Sequence, residues 1–313
     1  MVDSTRMPAE ALTAQALPPT SLIIPSRGRP DLLLETVQSI LQGDQVPSEL
    51  LVIDQSDAPH PSLASVTTNR SCTIRYIWSQ SNGVSRARND GIIAALHDIL
   101  IFTDDDVLVT RTWFGMLVMA LMAGGPKSIV TGQVRPTEGT AAGGFVPSTK
   151  TDTAPKIYTR HADEDVLYSN NMALYRSAID TVGAFDERLG AGTSFGNAED
   201  NDLGYRLLDA QYCISYVPEA ILYHRSWRSA RDYVPLRWNY GVGRGAYYAK
   251  HLSWRNSYMT RRLIADVRNH LMSLPQHIRR DRLRAYGDVM LVAGILSGAA
   301  RWLMTYGPPR RPG

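Results

Sequence analysis

Three adjacent carboxylates stand directly after a short apolar run, in Phe102-Thr-Asp-Asp-Asp-Val107. Asp104, Asp105 and Asp106 would repel one another strongly unless positive charge lies beside them. In an extended segment, residues 104 and 106 point to the same side. Their oxygens could therefore hold one hard divalent cation, Mg²⁺ or Mn²⁺. A solvated acidic turn or a capped helix start is the alternative.

A second acidic pair, Glu199-Asp200, stands at the start of a predicted helix in which Leu203 and Leu207 share a face. Acidic residues at a helix start often serve only as caps. A carboxylate that reaches a substrate hydroxyl can instead act as a general base while a leaving group departs. Both interpretations stay open on this pair alone.

The elements that must position these residues alternate between short apolar strands and helical periods. The predicted strands are Ser21–Ser26, Leu50–Ile53, Ile74–Trp78 and Ile99–Phe102. Asp31–Leu41 and Ser85–His97 predict helices, the second with Ser85 as its N-cap. The alternation indicates an α/β fold with a mostly parallel twisted sheet flanked by helices. Ligands bind such sheets at the carboxyl ends of the strands.

Charge divides the chain near residue 225. Residues 1–224 contain 16 Lys or Arg and 26 Asp or Glu, and residues 225–313 contain 17 and 4, so that −10 and +13 give the overall +3. Composition predicts a flexible tail over 1–19, an α/β domain over 20–225 and a basic helical region over 226–313. A mobile loop is predicted over Gly139–Asp165.

The basic region suits an anionic partner, which could be ligand phosphates, a membrane surface or nucleic acid. Its apolar segment Val289–Ala300 is too short to span a bilayer. It predicts either a core helix or an amphipathic helix on anionic lipid. Trp238–Tyr248 mixes aromatic residues with glycine, so Trp238 could stack on a sugar. A glycine-broken helix packed against the body is the alternative.

Localisation follows from two weak signals. The N-terminal segment has no apolar core of a secretory signal, and Cys72 and Cys213 show no metal-ligand spacing. Both features predict a reducing, cytoplasmic location. Contact with the inner face of the cytoplasmic membrane remains compatible with the basic region.

Six segments, in their order and spacing, resemble those of the family 2 glycosyltransferases, nucleotide-sugar enzymes of the GT-A fold. They are Ser21–Pro30 (SLIIPSRGRP), Leu51–Ser56 (LVIDQS), Asn82–Gly91 (NGVSRARNDG), Phe102–Val107 (FTDDDV), Ser169–Tyr175 (SNNMALY) with Val182–Glu187 (VGAFDE), and Glu199–Asp200. The resemblance covers about residues 20–225. It implies a GT-A-like fold for this part and a mainly helical C-terminal extension.

The resemblance also implies roles for single residues. Asp104 and Asp106 would be the acids of a DxD motif, with Asp106 the direct metal ligand, Asp104 near the ribose and Asp105 an alternative ligand. His224 stands where some relatives place a histidine near the metal or diphosphate, although a lone histidine can also be structural. The remaining residues expected around the nucleotide are Pro25, Ser26, Arg27, Asp54, Gln55 and Arg88.

On the acceptor side, the resemblance implies that Asp200 is the general base and that Asn171, Glu199 and Trp238 contact substrate. The implied reaction is inverting transfer of a sugar from a nucleotide-diphosphate sugar to a hydroxyl of a glycan or lipid-linked acceptor, assisted by Mg²⁺ or Mn²⁺. Such chemistry belongs to polysaccharide biosynthesis in the cell envelope. Gln55 replaces an acid that many relatives carry, which leaves uracil, thymine and guanine open as the base.

Three other functions compete. A metal-dependent nucleotidyltransferase would share paired carboxylates, but the turn after the first strand lacks its phosphate-binding Lys. A nucleic-acid-binding protein could use the basic region, but the acidic body disfavours it, and no nucleic acid partner is expected. A binding module that has lost catalysis is disfavoured by the intact acidic motifs.

Overall fold

The sheet brings the ends of three predicted strands to one edge. The computed structural model of the chain describes residues 16–60, 72–137, 144–253 and 257–308, so most of the predicted tail lies outside the described part. The described strands are β1 Thr20–Ser26, β2 Glu49–Asp54, β3 Thr73–Trp78, β4 Ile99–Thr103, β5 Val107–Val109, β6 Ser128–Pro136, β7 Lys156–Tyr158, β8 Asn171–Tyr175 and β9 Cys213–His224. They confirm the four predicted strands to within one residue.

Strand order is β3-β2-β1-β4-β8-β6-β9-β5, and β7 pairs with β9. The first four strands are parallel. β8 then joins β4 in the antiparallel sense, and β6 and β9 pair parallel. Because β1, β2 and β4 run in one direction, the residues after them collect at a single edge, as the sequence predicts.

The described helices are α1 Pro30–Leu41, α2 Val84–Ala94, α3 Trp113–Gly124, α4 Arg176–Val182, α5 Glu199–Asp209, α6 Tyr233–His251, α7 Tyr258–Arg280 and α8 Arg282–Tyr306. A short 3₁₀ turn, Ala230–Asp232, precedes α6. The helical C-terminal region of the prediction is therefore present. α2 begins at Val84 after Gly83, whose φ of 108° suits glycine, so Ser85 is not its N-cap. The Ser85 hydroxyl instead donates to Leu189 O at 2.7 Å.

Helices cover both faces of the sheet, which explains the continuous apolar runs of its strands. Leu22 and Ile24 of β1 pack in a cluster with Leu33 of α1 and Trp113 of α3. Ile23, between them, packs in a second cluster on the opposite face. Alternate residues of one strand thus fill two cores.

The segment predicted as a mobile loop, Gly139–Asp165, is partly structured. Residues 138–143 lie outside the described part, whereas β7 forms within the segment and Lys150 pairs in the antiparallel sense with Val134. The Lys150 ammonium lies 2.8 Å from Glu164 Oε2 and 2.9 Å from Asp152 Oδ2. These contacts hold residues 144–152 against the sheet.

The C-terminal helices pack tightly through glycines. A Cβ on Gly245 of α6 would lie 2.0 Å from Ile295 O of α8, and one on Gly298 would lie 2.0 Å from Val242 O. α6 is continuous, so Trp238–Tyr248 is not a broken helix; its glycines allow close approach to α8. α8 extends through Arg301 and buries Leu291, which supports the core-helix alternative for that side. By length and composition alone α8 could cross a membrane. One such helix is weak evidence for a membrane span, because the core helix of a soluble protein passes the same test.

Candidate functional site

Two cavities meet at the carboxyl edge of the sheet. The strand-end cavity, of about 240 Å³, is lined by Pro25, Ser26, Arg27, Arg29, Gln55, Asn82, Gly83, Val84, Arg88, Asp104, Asp105, Ala191, Gly192 and Glu199. Five of these residues come just after β1, β2 or β4, namely Arg27, Arg29, Gln55, Asp104 and Asp105. Seven residues predicted around the nucleotide are among them: Pro25, Ser26, Arg27, Gln55, Arg88, Asp104 and Asp105.

The helix-side cavity, of about 440 Å³, lies toward α6 and the segments around residues 147 and 168. It is lined by Arg88, Asp104, Val146, Pro147, Ser148, Thr149, Asp165, Leu167, Tyr168, Ser169, Asn170, Asn197, Glu199, Asp200, Asn201, His224, Arg237, Tyr240 and Arg244. The predicted base Asp200 and the predicted metal ligand His224 therefore lie on this side.

Arg88, Asp104 and Glu199 line both cavities and form the wall between them. Arg88 Nη2 lies 3.0 Å from Asp104 Oδ1, and its Nη1 lies 3.1 Å from Glu199 Oε1. Burial alone would lower the pKa of Arg88, but the charges of Asp104, Asp200 and Glu199 outweigh it and raise the pKa above its usual value. The guanidinium is therefore a permanent cation that ties the two acidic motifs together.

The three consecutive carboxylates have different partners. Asp105 is fully buried; its Oδ2 accepts from Ser26 Oγ at 2.7 Å, and Arg29 Nη2 lies 2.8 Å from its Oδ1. Burial raises the pKa of Asp105 to about 7, against the opposing charge of Arg29. Arg29 Nη1 also contacts Asp106 Oδ2 at 2.6 Å. Both oxygens of Asp105 thus have protein partners, Ser26 and Arg29, whereas the second oxygen of Asp106 lies beside His224. Asp104 and Asp106 therefore remain as the pair available to a cation.

Asp104, Asp106 and His224 can each offer one ligand atom, and these atoms all lie within 4.8 Å of one another. Burial would raise the pKa of Asp106, but His224 and Arg29 lower it to about 2. Burial would lower the pKa of His224, yet Asp106 and Asp104 raise it. These are the three metal ligands that the sequence predicts, and the fold brings them together from β9 and the end of β4.

The donor set fits a divalent cation. His224 Nδ1 lies 3.1 Å from Pro147 O, and a carbonyl only accepts, so Nδ1 carries the hydrogen and Nε2 faces Asp106. Nε2 lies 3.3 Å from Asp106 Oδ1, a buried oxygen with no hydrogen bond from the described residues. Two lone pairs at this distance need a proton or a cation between them. Two carboxylates suit Mg²⁺ or Mn²⁺, and the imidazole nitrogen favours the transition metal.

Asp200 lines the helix-side cavity, and its two oxygens have different surroundings. Its Oδ2 accepts from the Ser169 backbone N–H at 3.1 Å, whereas its Oδ1 has no hydrogen bond from the described residues. Burial, followed by the charge of Glu199, raises the pKa of Asp200 to about 7, and Arg88 opposes the shift. A carboxylate with such a pKa can accept a proton near neutral pH.

Asp54 and Gln55, both predicted to lie beside the nucleobase, have different surroundings. Asp54 is 1% exposed; its Oδ1 accepts from Ser56 N–H at 2.9 Å, its Oδ2 accepts from Tyr76 Oη at 2.6 Å, and it lines neither cavity. Gln55 donates from Nε2 to Ser81 Oγ at 2.8 Å. Its Oε1 accepts no hydrogen bond from the described residues and is the free polar atom of this pair. The structure therefore places Gln55, rather than Asp54, at the cavity.

Two predicted substrate residues lie elsewhere. Asn171 is fully buried in β8, where its amide donates to Gln133 O and Ala220 O, both at 2.9 Å. Trp238 lines a third cavity, between residues 191–196 and α6 beside Arg301 of α8, rather than the helix-side cavity. Their assigned roles stay predictions without support from these positions. The third, Glu199, lies in the shared wall.

Sequence reasoning missed several cavity residues. Arg29 neutralises the negative charge of Asp105 and Asp106. The only sequence signal for this role is its position two residues after Arg27. Ser169 Oγ and Asn170 Oδ1 are buried atoms without hydrogen bonds from the described residues, next to Asp200 in the helix-side cavity. The resemblance implies substrate contact for their neighbour Asn171 instead, one residue further along the same motif.

Comparison with known proteins agrees with this geometry. The family model described as "Glycosyl transferase family 2" matches residues 21–181. The pre-mycofactocin glycosyltransferase of Mycobacterium tuberculosis (strains CDC 1551 / Oshkosh and ATCC 25618 / H37Rv) is 28% identical over 261 residues, which cover 79% of this chain and 52% of the relative. The chain thus spans about half the length of the curated relatives it matches.

Solved structures show the fold. The mannosyltransferase PcManGT from Pyrobaculum calidifontis, in complex with GDP-Man and Mn²⁺, superposes with a TM-score of 0.60 at 16% identity and 92% coverage of both chains. GalNAc-T7 with UDP, GalNAc and Mn²⁺ gives a TM-score of 0.55 at 17% identity, covering 94% of this chain and 59% of that one. Both are fold likenesses, and they confirm the predicted architecture of a mostly parallel sheet with flanking helices.

Proposed function

Because the chain belongs to glycosyl transferase family 2, we propose that it transfers a sugar from a nucleotide-diphosphate sugar to an acceptor hydroxyl. One observation carries the proposal. Asp104 stands in the wall between two cavities, and Asp200 lines the helix-side cavity but not the strand-end cavity. A donor in the strand-end cavity and an acceptor in the helix-side cavity would meet at this wall.

We assign the nucleotide to the strand-end cavity. Arg27 and Arg29 supply positive charge at its rim, where a diphosphate would lie. Gln55 Oε1 is an unused acceptor, so it would take a hydrogen from the edge of a base. Uracil, thymine and guanine all carry a ring N–H there. Nucleoside diphosphates or their sugars are named for the two structures of this fold described above, and we propose the same donor class here.

Asp104, Asp106 and His224 would hold Mn²⁺ or Mg²⁺. When bound, the cation supplies positive charge that stabilises the departing diphosphate. Pro147 O fixes the ring of His224 so that Nε2 faces the two carboxylates. Arg29 keeps Asp105 and the second oxygen of Asp106 in place.

Asp200 would act as the general base. Ser169 N–H holds one of its oxygens, and the other is free to take the proton of an acceptor hydroxyl. The base lies across the wall from the nucleotide, so the acceptor oxygen would attack the face opposite the diphosphate. Such a displacement inverts the configuration of the anomeric carbon.

The acceptor proposed is a hydroxyl of a glycan or of a lipid-linked saccharide, with a role in polysaccharide biosynthesis of the cell envelope. The buried, unsatisfied Ser169 Oγ and Asn170 Oδ1 suit a ligand rich in hydroxyl groups. A lipid-linked acceptor would bring the enzyme to the inner face of the cytoplasmic membrane, and peripheral contact with anionic lipid is part of this proposal. The nucleotidyltransferase alternative is not favoured, because the family match belongs to sugar transfer.

Thermal shift with nucleotides and nucleotide sugars, with and without Mn²⁺, tests the donor site. A ligand that binds only the native state raises the melting temperature. We expect a metal-dependent rise with one nucleoside diphosphate. A protein that responds to none of them with metal present contradicts the assignment.

Replacing the base tests the reaction. Asp200→Asn should keep the metal-dependent thermal shift and lose transfer by about 10²-fold or more, since general base catalysis contributes about 10²–10⁴-fold. Asp209→Asn, at an exposed position of the same helix, is the matched control and should transfer as the wild type does. Normal turnover by Asp200→Asn would remove this residue from the role.

A further inference from the structure

The two C-terminal helices carry an unusual share of the exposed apolar side chains. Ten of the sixteen exposed large hydrophobic residues in the described part of the chain belong to α7 or α8. We define the α7–α8 surface by eight of them, Ile264, Leu271, Met272, Ile278, Tyr286, Val289, Leu296 and Met304. Exposed apolar side chains gathered on two helices that pack against each other are typical of an interaction site.

On α7 the spacing is regular. Ile264, Leu271 and Ile278 recur every seven residues, so they form one line along the helix, and they are 58%, 48% and 59% exposed. A neighbouring side of α7, about 100° around the helix, faces the protein, where His270 Nδ1 and His277 Nδ1 lie 2.9 and 2.6 Å from the two oxygens of Asp288. The apolar line therefore points away from the body.

On α8 the division is similar. Tyr286, Val289, Leu296 and Met304 are 67%, 49%, 58% and 78% exposed. Gly294 and Gly298, on the other side of the helix, approach the backbone of α6 too closely for a Cβ. α8 is thus anchored along one side, so it could lie along an apolar surface without leaving the fold.

The charges beside this surface are almost all positive. Within residues 258–300, five exposed arginines have no salt bridge with a described residue, namely Arg261, Arg268, Arg279, Arg280 and Arg282. The acidic residues between 258 and 306 are Asp266, Asp281 and Asp288, and each contacts an Arg or His. No acid in this region is left to balance the five arginines.

We propose that the α7–α8 surface docks on an anionic lipid bilayer, with both helices lying in the interface. Apolar side chains would enter the boundary of the acyl chains, and the unpaired arginines would meet anionic head groups. A second copy of the chain fits less well, because five unpaired arginines on each copy would face one another. The inference rests on the proposed function in one respect, because a lipid-linked acceptor would require the enzyme to bind a membrane. The preference for anionic lipid is argued from the α7–α8 surface alone.

Docking would also fix the position of the strand-end cavity relative to the membrane. The far end of α8 carries Trp302, whose ring packs 5.3 Å from that of Phe195 and 4.4 Å from the guanidinium of Arg188. These residues flank Ala191 and Gly192, which line the strand-end cavity. A surface at the membrane would therefore hold the nucleotide site at a fixed height above the lipid.

Sedimentation of the full chain with vesicles at low salt tests the proposal, with phosphatidylcholine alone and with phosphatidylcholine mixed with phosphatidylglycerol. We expect the wild type to bind only the anionic vesicles. The apolar variant Ile264→Ser/Leu271→Ser/Ile278→Ser and the charge variant Arg268→Gln/Arg279→Gln/Arg282→Gln should each weaken binding about tenfold or more. The matched control Ile93→Ser/Ile157→Ser removes two exposed apolar residues elsewhere and should bind normally.

Melting temperature and the metal-dependent nucleotide shift should be unchanged in every variant, which separates loss of docking from loss of the fold or of the donor site. A wild type that ignores anionic vesicles overturns the proposal, as does a control that weakens as much as the surface variants. Light scattering completes the test. A dimer that the apolar variant dissociates, with no vesicle binding, would assign the surface to a second copy.

Discussion

Arg88 Nη2 lies 3.0 Å from Asp104 Oδ1, and this contact joins the end of β4 to the wall between the two cavities. The same guanidinium reaches Glu199 at 3.1 Å and approaches Asp200 at 3.9 Å. One side chain therefore sets the relative position of a predicted metal ligand and the predicted base. Lysine carries the charge but not the planar fork that reaches several acids at once.

Arg88→Lys should therefore lower kcat/KM by about 10²-fold, because a small misplacement of reacting groups costs about that much. The melting temperature should fall only modestly, since a cation remains among the carboxylates. Arg86→Lys is the control on the same helix, because its ion pair with Glu187 is exposed. Equal activity of the two variants would show that the fork does not position the site.

His224 should contribute to metal affinity. His224→Gln removes the imidazole nitrogen that faces Asp104 and Asp106, so titration of the protein with Mn²⁺ should show affinity reduced about tenfold or more. Calorimetry or the paramagnetic signal of free Mn²⁺ measures this directly. His97→Gln, just before the amino end of β4 and so at the opposite edge of the sheet, should bind Mn²⁺ as the wild type does. Unchanged affinity in His224→Gln would make this histidine structural.

The sequence predicts that the site residues lie close together, because parallel strands end at the same edge of the sheet. It predicts less well which neighbour in a motif faces the ligand. β8 begins at Asn171, and neighbouring side chains of an extended segment point to opposite sides, so a shift of one residue exchanges the side that faces the core for the side that faces the cavity. Asn171 accordingly lies in the core, whereas Asn170 lines the cavity.

Asp54 and Arg29 illustrate a second limit. Whether Asp54 meets a ligand depends on Tyr76 of β3, whose hydroxyl occupies one carboxylate oxygen. The reach of Arg29 to Asp105 and Asp106 depends on the turn after β1, where Gly28 has a φ of 66°. Both contacts join segments distant in the chain, so local pattern does not reveal them.

The raised pKa of Asp200 predicts a pH dependence. Burial and the charge of Glu199 raise this pKa to about 7, and a general base works only when ionised, so kcat/KM should rise as pH increases through about 7. Glu199→Gln removes the neighbouring negative charge, which should lower the pKa of Asp200 and move this limb to lower pH. Profiles for both proteins, measured at one metal concentration, check the sign. If the limb stays at the same pH in Glu199→Gln, it reports the ionisation of a group other than Asp200.

Stability should depend on the glycines between α6 and α8. Alanine is the better helix former by about 1 kcal/mol, so substitution of an exposed helical glycine would stabilise the protein. At Gly245 and Gly298, however, a Cβ would lie 2.0 Å from a backbone carbonyl of the facing helix, and a backbone atom cannot turn aside as a side-chain end can. The helices would have to separate, so Gly245→Ala or Gly298→Ala should lower the free energy of unfolding by about 1–3 kcal/mol.

Chemical denaturation of each variant measures this difference. Gly196→Ala is the control, because a Cβ there meets no atom within 4 Å and its backbone conformation is ordinary. It should unfold with the free energy of the wild type. If Gly245→Ala were as stable as that control, helix propensity would outweigh the contact, and α6 and α8 would not be held at the separation described. Loss of stability at Gly298 alone would instead place the tight contact at the end of α8 that carries Trp302.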